Sequence, residues 1–253
     1  MFSTEDGDII LRTQGSPPCD FRVHSLLLSL ASPVFKDMFK IPQPSPVVPK
    51  LDVEPEVIYV TDPPHALDLV LRFIYPFPSP DIDSLDQLFD GLVIADKYDI
   101  IGARADLRLR LTKFIEENPL RVYAIASKFG FEEEAEAVSP LTTKIYLPSL
   151  ADLPDDLKDI SAMAYHRLIK IHENCRDEIE DIIDGVLFEG YCHDCNLTRA
   201  LVEASMRTKL VRIICRGGGT NATAYFQELG IRCGAGCMRR FVENVAVKLE
   251  AWE

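Results

Sequence analysis

The sequence predicts an α+β domain in the first half of the chain and an α-helical region after it. The apolar pattern changes from period two to helical spacing between Asp20 and Phe39, so a strand runs directly into helix there. Further short strands and helix pairs alternate along the first half. An alternation of this kind places helices around a small sheet.

Residues 20–39 read DFRVHSLLLSLASPVFKDMF. Phe21 and Val23 alternate with polar neighbours, which indicates a strand. Seven apolar residues then recur at helical spacing: Leu26, Leu27, Leu30, Val34, Phe35, Met38 and Phe39. Ser32 followed by Pro33 is an N-cap serine with proline at the first helical position, where its missing N–H costs nothing. The stretch therefore predicts a strand and two short helices.

The other elements of the first half follow from the same rules. Strands are predicted at 8–12, 20–24 and 57–60, and the proline-rich residues 41–55 are predicted to be an extended loop. Asp62-Pro63-Pro64 is predicted to cap a helix that carries Leu67, Val70, Leu71 and Ile74 at i, i+3, i+4 and i+7. Two more helices are predicted, one capped by Asp83 or Ser84 and one around Leu107 and Leu111.

The second half is predicted to be helical. Asn118 and Pro119 begin a helix over 120–129 that stops at Gly130, and further helices are predicted over 131–138, 160–185, 197–216 and 238–252. His172 lies on the apolar stripe of the longest of these, which indicates a core histidine with a hydrogen-bond partner. We expect three regions, at 1–117, 118–150 and 151–253.

Composition restricts the classes of function. The net charge of -13 repels phosphate, which disfavours direct nucleic-acid binding. No apolar run approaches the roughly 20 residues that span a bilayer, and residues 1–8 lack the features of a signal peptide. We therefore expect an intracellular protein of the cytoplasm or nucleus that does not bind membranes. In a reducing compartment, the seven cysteines are not expected to form a disulfide framework.

Four cysteines are candidate metal ligands. Cys192 and Cys195 form a CxxC pair, and Cys233 and Cys237 form a CxxxC pair. Two such turns can offer four thiolates to a tetrahedral Zn²⁺, so we predict Zn²⁺ as the cofactor these residues would bind. One alternative is that these are unpaired or core cysteines at helix ends. Another is a redox or nucleophilic role for Cys192 or Cys195, which the lack of a predicted βαβ sheet in this half disfavours. His193 is a runner-up ligand for the metal, and we favour a solvated turn residue at this position.

The first half of the chain resembles the BTB/POZ domain family. The matching segments lie in the family's order: DGDIIL at 6–11, the strand and helical hairpin at 20–39, VIYV at 57–60, LRFIY at 71–75 and LVIADKYDI at 92–100. Residues 118–126, NPLRVYAIA, are similar to a helical extension found in many fungal members. The resemblance implies a small sheet packed with helical hairpins and a structural role for His24 beside the first-strand aspartates.

The resemblance also implies a function without catalysis. Members self-associate, act as adaptors that bind a cullin scaffold in ubiquitin ligases, or bind transcriptional corepressors. The implied partner-binding residues are Met38, Phe39, Leu88 and Tyr98, although the helical phase favours core positions for Phe35 and Phe39. We therefore expect a protein-protein interaction module that forms homodimers or serves as an adaptor.

Two differences from the family bear on this expectation. Residues 50–57, KLDVEPEV, lack the triplet of a hydrophobic residue, any residue and glutamate that adaptors often carry. The sequence also begins almost at the first strand, so a dimer would not use a long swapped N-terminal helix. A zinc-stabilised structural scaffold remains an alternative. An enzyme is disfavoured, because no nucleophile and base occur at a motif spacing.

Overall fold

The structure is a computed structural model that describes residues 6–14, 17–41, 55–143 and 154–189. The chain divides into two compact units, Met1–Ile115 and Glu116–Glu253. This division lies two residues before the predicted border at residue 117. The second predicted border, at residue 150, lies outside the described residues.

The first unit is built on a three-stranded sheet. Its strands are β1 (Ile9–Thr13), β2 (Asp20–Val23) and β3 (Glu56–Val60), in the order β2-β1-β3. β1 pairs antiparallel with β2 and parallel with β3, and Leu11 lies opposite both Phe21 and Ile58. All three of these side chains are buried, so one face of the sheet forms part of the core. The three predicted strands are confirmed to within one residue at each end.

Five helices accompany this sheet in the part of the first unit that the structure describes. They are α1 (Ser25–Ala31), α2 (Pro33–Met38), α3 (Pro64–Ile74), α4 (Leu85–Lys97) and α5 (Ile101–Leu111). A 3₁₀ turn, Thr112–Phe114, follows α5. Helices α3, α4 and α5 bury most of the apolar residues that their spacing predicts, including Leu67, Leu88 and Leu107, although Val93 of α4 is 37% exposed. The predicted α+β fold is confirmed.

Helix α1 differs from the sequence pattern in which of its faces is buried. Only Leu28 is buried, whereas Leu26 and Leu30 are 68% and 77% exposed. Four of the seven residues of α1 are leucine, and the helix has only about two turns. Apolar spacing cannot choose a face in so short and uniformly apolar a helix, so packing against the rest of the domain decides it.

The second unit consists of helices in the residues that the structure describes. α6 (Pro119–Lys128) and α7 (Glu132–Thr142) are joined by Gly130, whose φ of 71° lies in the left-handed region that glycine adopts readily. A 3₁₀ turn (Asp155–Asp159) leads to the long helix α8 (Ala162–Glu189). Three helices were predicted over these segments, and the structure confirms them with shifted ends. The helices predicted over 197–216 and 238–252 lie outside the described residues.

Polar contacts join the described segments of this unit. Arg121 pairs with Asp156 at 2.6 Å between Nε and Oδ2, and Lys128 pairs with Asp159 at 2.7 Å. The hydroxyl of Tyr123 donates to the carbonyl oxygen of Ala164 at 2.8 Å. These contacts hold the start of α8 and the preceding turn against α6. Leu157 in the turn and Leu168 in α8 are buried, which agrees with this packing.

We expect His172 to make the second unit less stable in mild acid. The imidazole Nε2 lies 3.1 Å from Thr142 Oγ1, and burial lowers the pKa of His172 below its ordinary value. The unfolded chain therefore takes up this proton at a higher pH than the folded chain does. Stability is retained above the ordinary pKa of about 6.5 and falls as the pH decreases below it.

The His172→Gln variant should lose part of this pH dependence, which thermal unfolding followed by circular dichroism at pH 7.5 and pH 5.5 would measure. His166, an exposed residue of the same helix, supplies the control variant His166→Gln. If both variants show the pH dependence of the unaltered chain, His172 is not its source.

Candidate interaction surface

Hydrogen bonds hold the start of the hairpin formed by α1 and α2. The Asp8 carboxylate accepts the backbone N–H of Ser25 at 2.7 Å and its hydroxyl at 2.5 Å. Burial alone would raise the pKa of Asp8, but these two hydrogen bonds outweigh it and hold the pKa below its ordinary value. The Tyr75 hydroxyl accepts the backbone N–H of His24 at 2.8 Å, and His24 Nε2 lies 3.3 Å from Asp6. His24 therefore has the structural role that the family resemblance implies.

The junction between the two helices is held by Ser32. Its hydroxyl accepts the backbone N–H of Phe35 at 3.0 Å, which is the predicted N-cap, and donates to the carbonyl oxygen of Tyr98 at 2.5 Å. Phe35 is fully buried and stacks on Tyr98 with ring centroids 4.3 Å apart. The favoured core position of Phe35 is confirmed, whereas Phe39 is only half-buried. The junction is thus fixed to the end of α4.

A buried carboxylate completes this anchor. Asp62 accepts a hydrogen bond from the Tyr98 hydroxyl and lies 2.6 Å from Lys97 Nζ. Burial raises the pKa of Tyr98 well above its ordinary value, and Asp62 raises it further, so the phenol remains a donor. Within the predicted cap Asp62-Pro63-Pro64, Pro63 occupies the cap position without a side-chain hydrogen bond and Pro64 begins α3, so Asp62 itself does not cap this helix. The carboxylate binds α4 instead, since Tyr98 and Lys97 lie within its reach.

These anchors leave one side of the hairpin uncovered. Leu26 and Leu30, one helical turn apart, project from α1, and Val34 at the start of α2 is 37% exposed. We call these three residues the α1–α2 face. None of them titrates or coordinates metal, so the face is suited to contact with another protein rather than to chemistry.

The structure gives the four predicted partner-binding residues different environments. Met38 and Phe39 at the end of α2 are partly exposed. Leu88 and Tyr98 are buried, with exposed fractions of 0% and 2%, so they can touch a partner only if this packing opens. Sequence reasoning missed the exposure of Leu26 and Leu30. The break at Ser32-Pro33 could have indicated this exposure. It ends α1 and begins a new helix, so the apolar spacing of α2 does not continue into α1.

The structure leaves the zinc prediction untested. Cys192, Cys195, Cys233 and Cys237 lie outside the described residues, so Zn²⁺ binding there stays a prediction. Within residues 6–14, 17–41, 55–143 and 154–189, no group of three or more His, Cys, Asp or Glu side chains could hold a metal ion.

Two further properties hold for the residues that the structure describes. Cys19, which is exposed, and Cys175, which is buried, are free cysteines. None of the described helices is both long enough and apolar enough to span a bilayer.

Comparison with known proteins agrees with the observed fold. The family model of the BTB/POZ domain matches residues 5–114, which correspond closely to the first unit. No curated protein matches the chain. The three-stranded sheet, the helical hairpin after β2 and the order of α3, α4 and α5 all lie within the matched residues. The chain therefore carries a BTB/POZ domain at residues 5–114, a domain that serves in protein-protein interaction.

Proposed function

We propose that this protein is a non-catalytic protein-protein interaction module whose BTB/POZ domain self-associates through the α1–α2 face. The observation that carries the proposal is the exposure of Leu26 and Leu30 on a helix whose other side is firmly anchored. Burying a leucine side chain fully gains about 1.5–3 kcal/mol. A symmetric dimer would bury both leucines of each copy, and this gain opposes the entropy cost of association.

The α1–α2 face suits a second copy of the chain because helix α1 carries no charge. Helix α1, SLLLSLA, contains no ionisable side chain, so two copies can meet without like charges opposing each other. In a chain with a net charge of -13, most other surfaces would repel an identical copy. A symmetric contact also requires the same patch on both partners, and the exposed leucines satisfy this requirement.

The mass of the protein in solution tests the proposal. We expect sedimentation equilibrium to give twice 28.5 kDa for the unaltered chain and 28.5 kDa for the variant with Leu26→Glu and Leu30→Glu. The glutamates would place four like charges in the contact, where each lacks a partner.

The control for this experiment is Leu109→Glu, which adds a charge at an exposed leucine of α5. It should leave the dimer mass unchanged. A monomeric unaltered chain, or a dimer that persists in the double variant, would contradict self-association through this face.

The proposed role as an adaptor in a ubiquitin ligase rests on the family resemblance. In this proposal the partly exposed Met38 and Phe39 contribute to binding a cullin scaffold in ubiquitin ligase assembly. Residues 50–57 lack the adaptor triplet, which weakens this role relative to self-association. Zinc-stabilised scaffolding and corepressor binding have no support from the described residues.

A further inference from the structure

Ser79 lies in the connection between α3 and α4, in a stretch that is extended and exposed. Residues 78–84 belong to no helix or strand. A proline fixes its own φ and favours an extended conformation in the residue before it, so Pro78 and Pro80 hold the backbone around Ser79 extended. Exposure alternates along the stretch, with three exposed residues separated by two that are less exposed: Ser79, Asp81 and Asp83, against Pro80 and Ile82. This alternation is that of an extended chain with one side in solvent.

Contacts on both sides of Ser79 hold this connection against the domain. Before it, the ring of Phe77 stacks on the buried Tyr75, with 5.8 Å between centroids. After it, Arg110 Nη1 donates to the carbonyl oxygen of Pro80 at 2.6 Å. The Ser79 hydroxyl itself has no hydrogen-bond partner among the residues that the structure describes. The serine is thus held in place by its neighbours while its own hydroxyl stays available.

The structure separates Ser79 from the other serines that precede a proline. The chain contains five Ser-Pro pairs, and three of them lie in the described residues, at Ser32, Ser79 and Ser139. Ser32 is fully buried, and its hydroxyl accepts the N-cap hydrogen bond of α2. Ser139 is 8% exposed inside α7 and donates to the carbonyl oxygen of Glu136. Of these three, Ser79 alone presents its hydroxyl to solvent on an extended backbone.

We propose that Ser79 is a phosphorylation site for a proline-directed protein kinase, an enzyme that selects proline directly after the serine. A kinase has to place the substrate hydroxyl in line with the γ-phosphate of ATP, which an exposed, extended segment allows. The Ser79 oxygen bonds to the γ-phosphorus, the bond from that phosphorus to ADP breaks, and the hydroxyl proton passes to the catalytic aspartate of the kinase.

Phosphorylation at Ser79 changes the charge of the surface rather than the fold. A phosphoserine carries about -1.5 to -2 at pH 7. Asp81 and Asp83 lie on the same exposed side of the segment, so the phosphate completes a row of three anionic groups. Such a row suits the guanidinium groups of a partner protein. No hydrogen bond in the described part of the chain has to break, so the domain stays folded.

Treatment of the full chain with a mitogen-activated protein kinase and ATP tests this proposal. We expect mass spectrometry to find one phosphoryl group on Ser79 and none on Ser32 or Ser139. The rate at Ser79 should be within roughly tenfold of the rate in a free peptide of residues 74–85, because a segment that had to open first would react only in its small open fraction.

Two variants and two controls accompany this measurement. Ser79→Ala should lose the phosphoryl group, and Pro80→Ala, which keeps the carbonyl oxygen bound by Arg110, should slow its addition roughly tenfold. Ser16→Ala with Ser45→Ala removes the two Ser-Pro pairs outside the described residues and should leave Ser79 unaffected. Sedimentation equilibrium should give the same mass before and after phosphorylation, which keeps this test separate from that of the proposed dimer.

Three outcomes would overturn the proposal. Phosphorylation of the free peptide but not of the full chain would show that the folded protein shields Ser79. Phosphorylation of Ser32 or Ser139 at the rate of Ser79 would mean that unfolding of the chain, and not the exposed connection, admits the kinase. An unchanged rate in Pro80→Ala would show that the proline does not direct the enzyme.

Discussion

Replacing Phe35 by alanine is expected to lower the free energy of unfolding of the BTB/POZ domain by about 3–5 kcal/mol. Phe35 is fully buried, and its ring stacks on the ring of Phe39, at 5.8 Å between centroids, and on that of Tyr98, at 4.3 Å. Alanine would leave a cavity and remove both ring contacts. The loss is a large part of the stability of an average domain.

Amide hydrogen exchange in the full chain measures this effect, because the slowest amides of α4 report the opening of this domain alone. The matched control is Leu109→Ala, which removes a large apolar side chain that is 72% exposed and should change stability by about 0.5 kcal/mol or less. Equal effects of the two variants would show that Phe35 is not part of the core. The Phe35→Ala variant should also weaken self-association, because Phe35 holds the hairpin that presents the α1–α2 face.

Replacing Asp62 by alanine is expected to cost about 1–3 kcal/mol, since the buried Tyr98 hydroxyl would lose its acceptor. Lys97 would lose its partner too, but its side chain is 42% exposed and can turn to water. The control Lys97→Ala should therefore cost less than about 1 kcal/mol. Amide hydrogen exchange of the slowest amides in α4 measures the loss of stability in both variants.

A double-mutant cycle identifies the cause of this loss. Tyr98→Phe removes the hydroxyl while keeping the ring on Phe35, so the chain with both Asp62→Ala and Tyr98→Phe has no orphaned donor. We expect the double variant to be less destabilised than the sum of the two single variants. Strict additivity would mean that the hydrogen bond between these residues contributes nothing.

Sequence by itself determined the local structure of this protein. The change from period-two to helical spacing located β2 and α1, and Ser32 with Pro33 located the start of α2. Ser84 was one of two predicted caps, and it accepts the backbone N–H of Gln87 at the start of α4. These features depend on residues within about one turn of each other, so local backbone preferences are sufficient to predict them.

Tertiary structure alone decided which side chains reach the surface and which polar groups meet. Because α1 contains four leucines, its sequence does not predict which face is buried, and the tertiary structure buries Leu28. Asp62 met Tyr98, 36 residues away, instead of capping its own helix. Leu88 and Tyr98 are buried in the core. Leu26, Leu30 and Leu109 are exposed. Burial also depends on contacts between residues distant in the sequence, and in a helix as short and uniformly apolar as α1 the local spacing does not specify which face makes them.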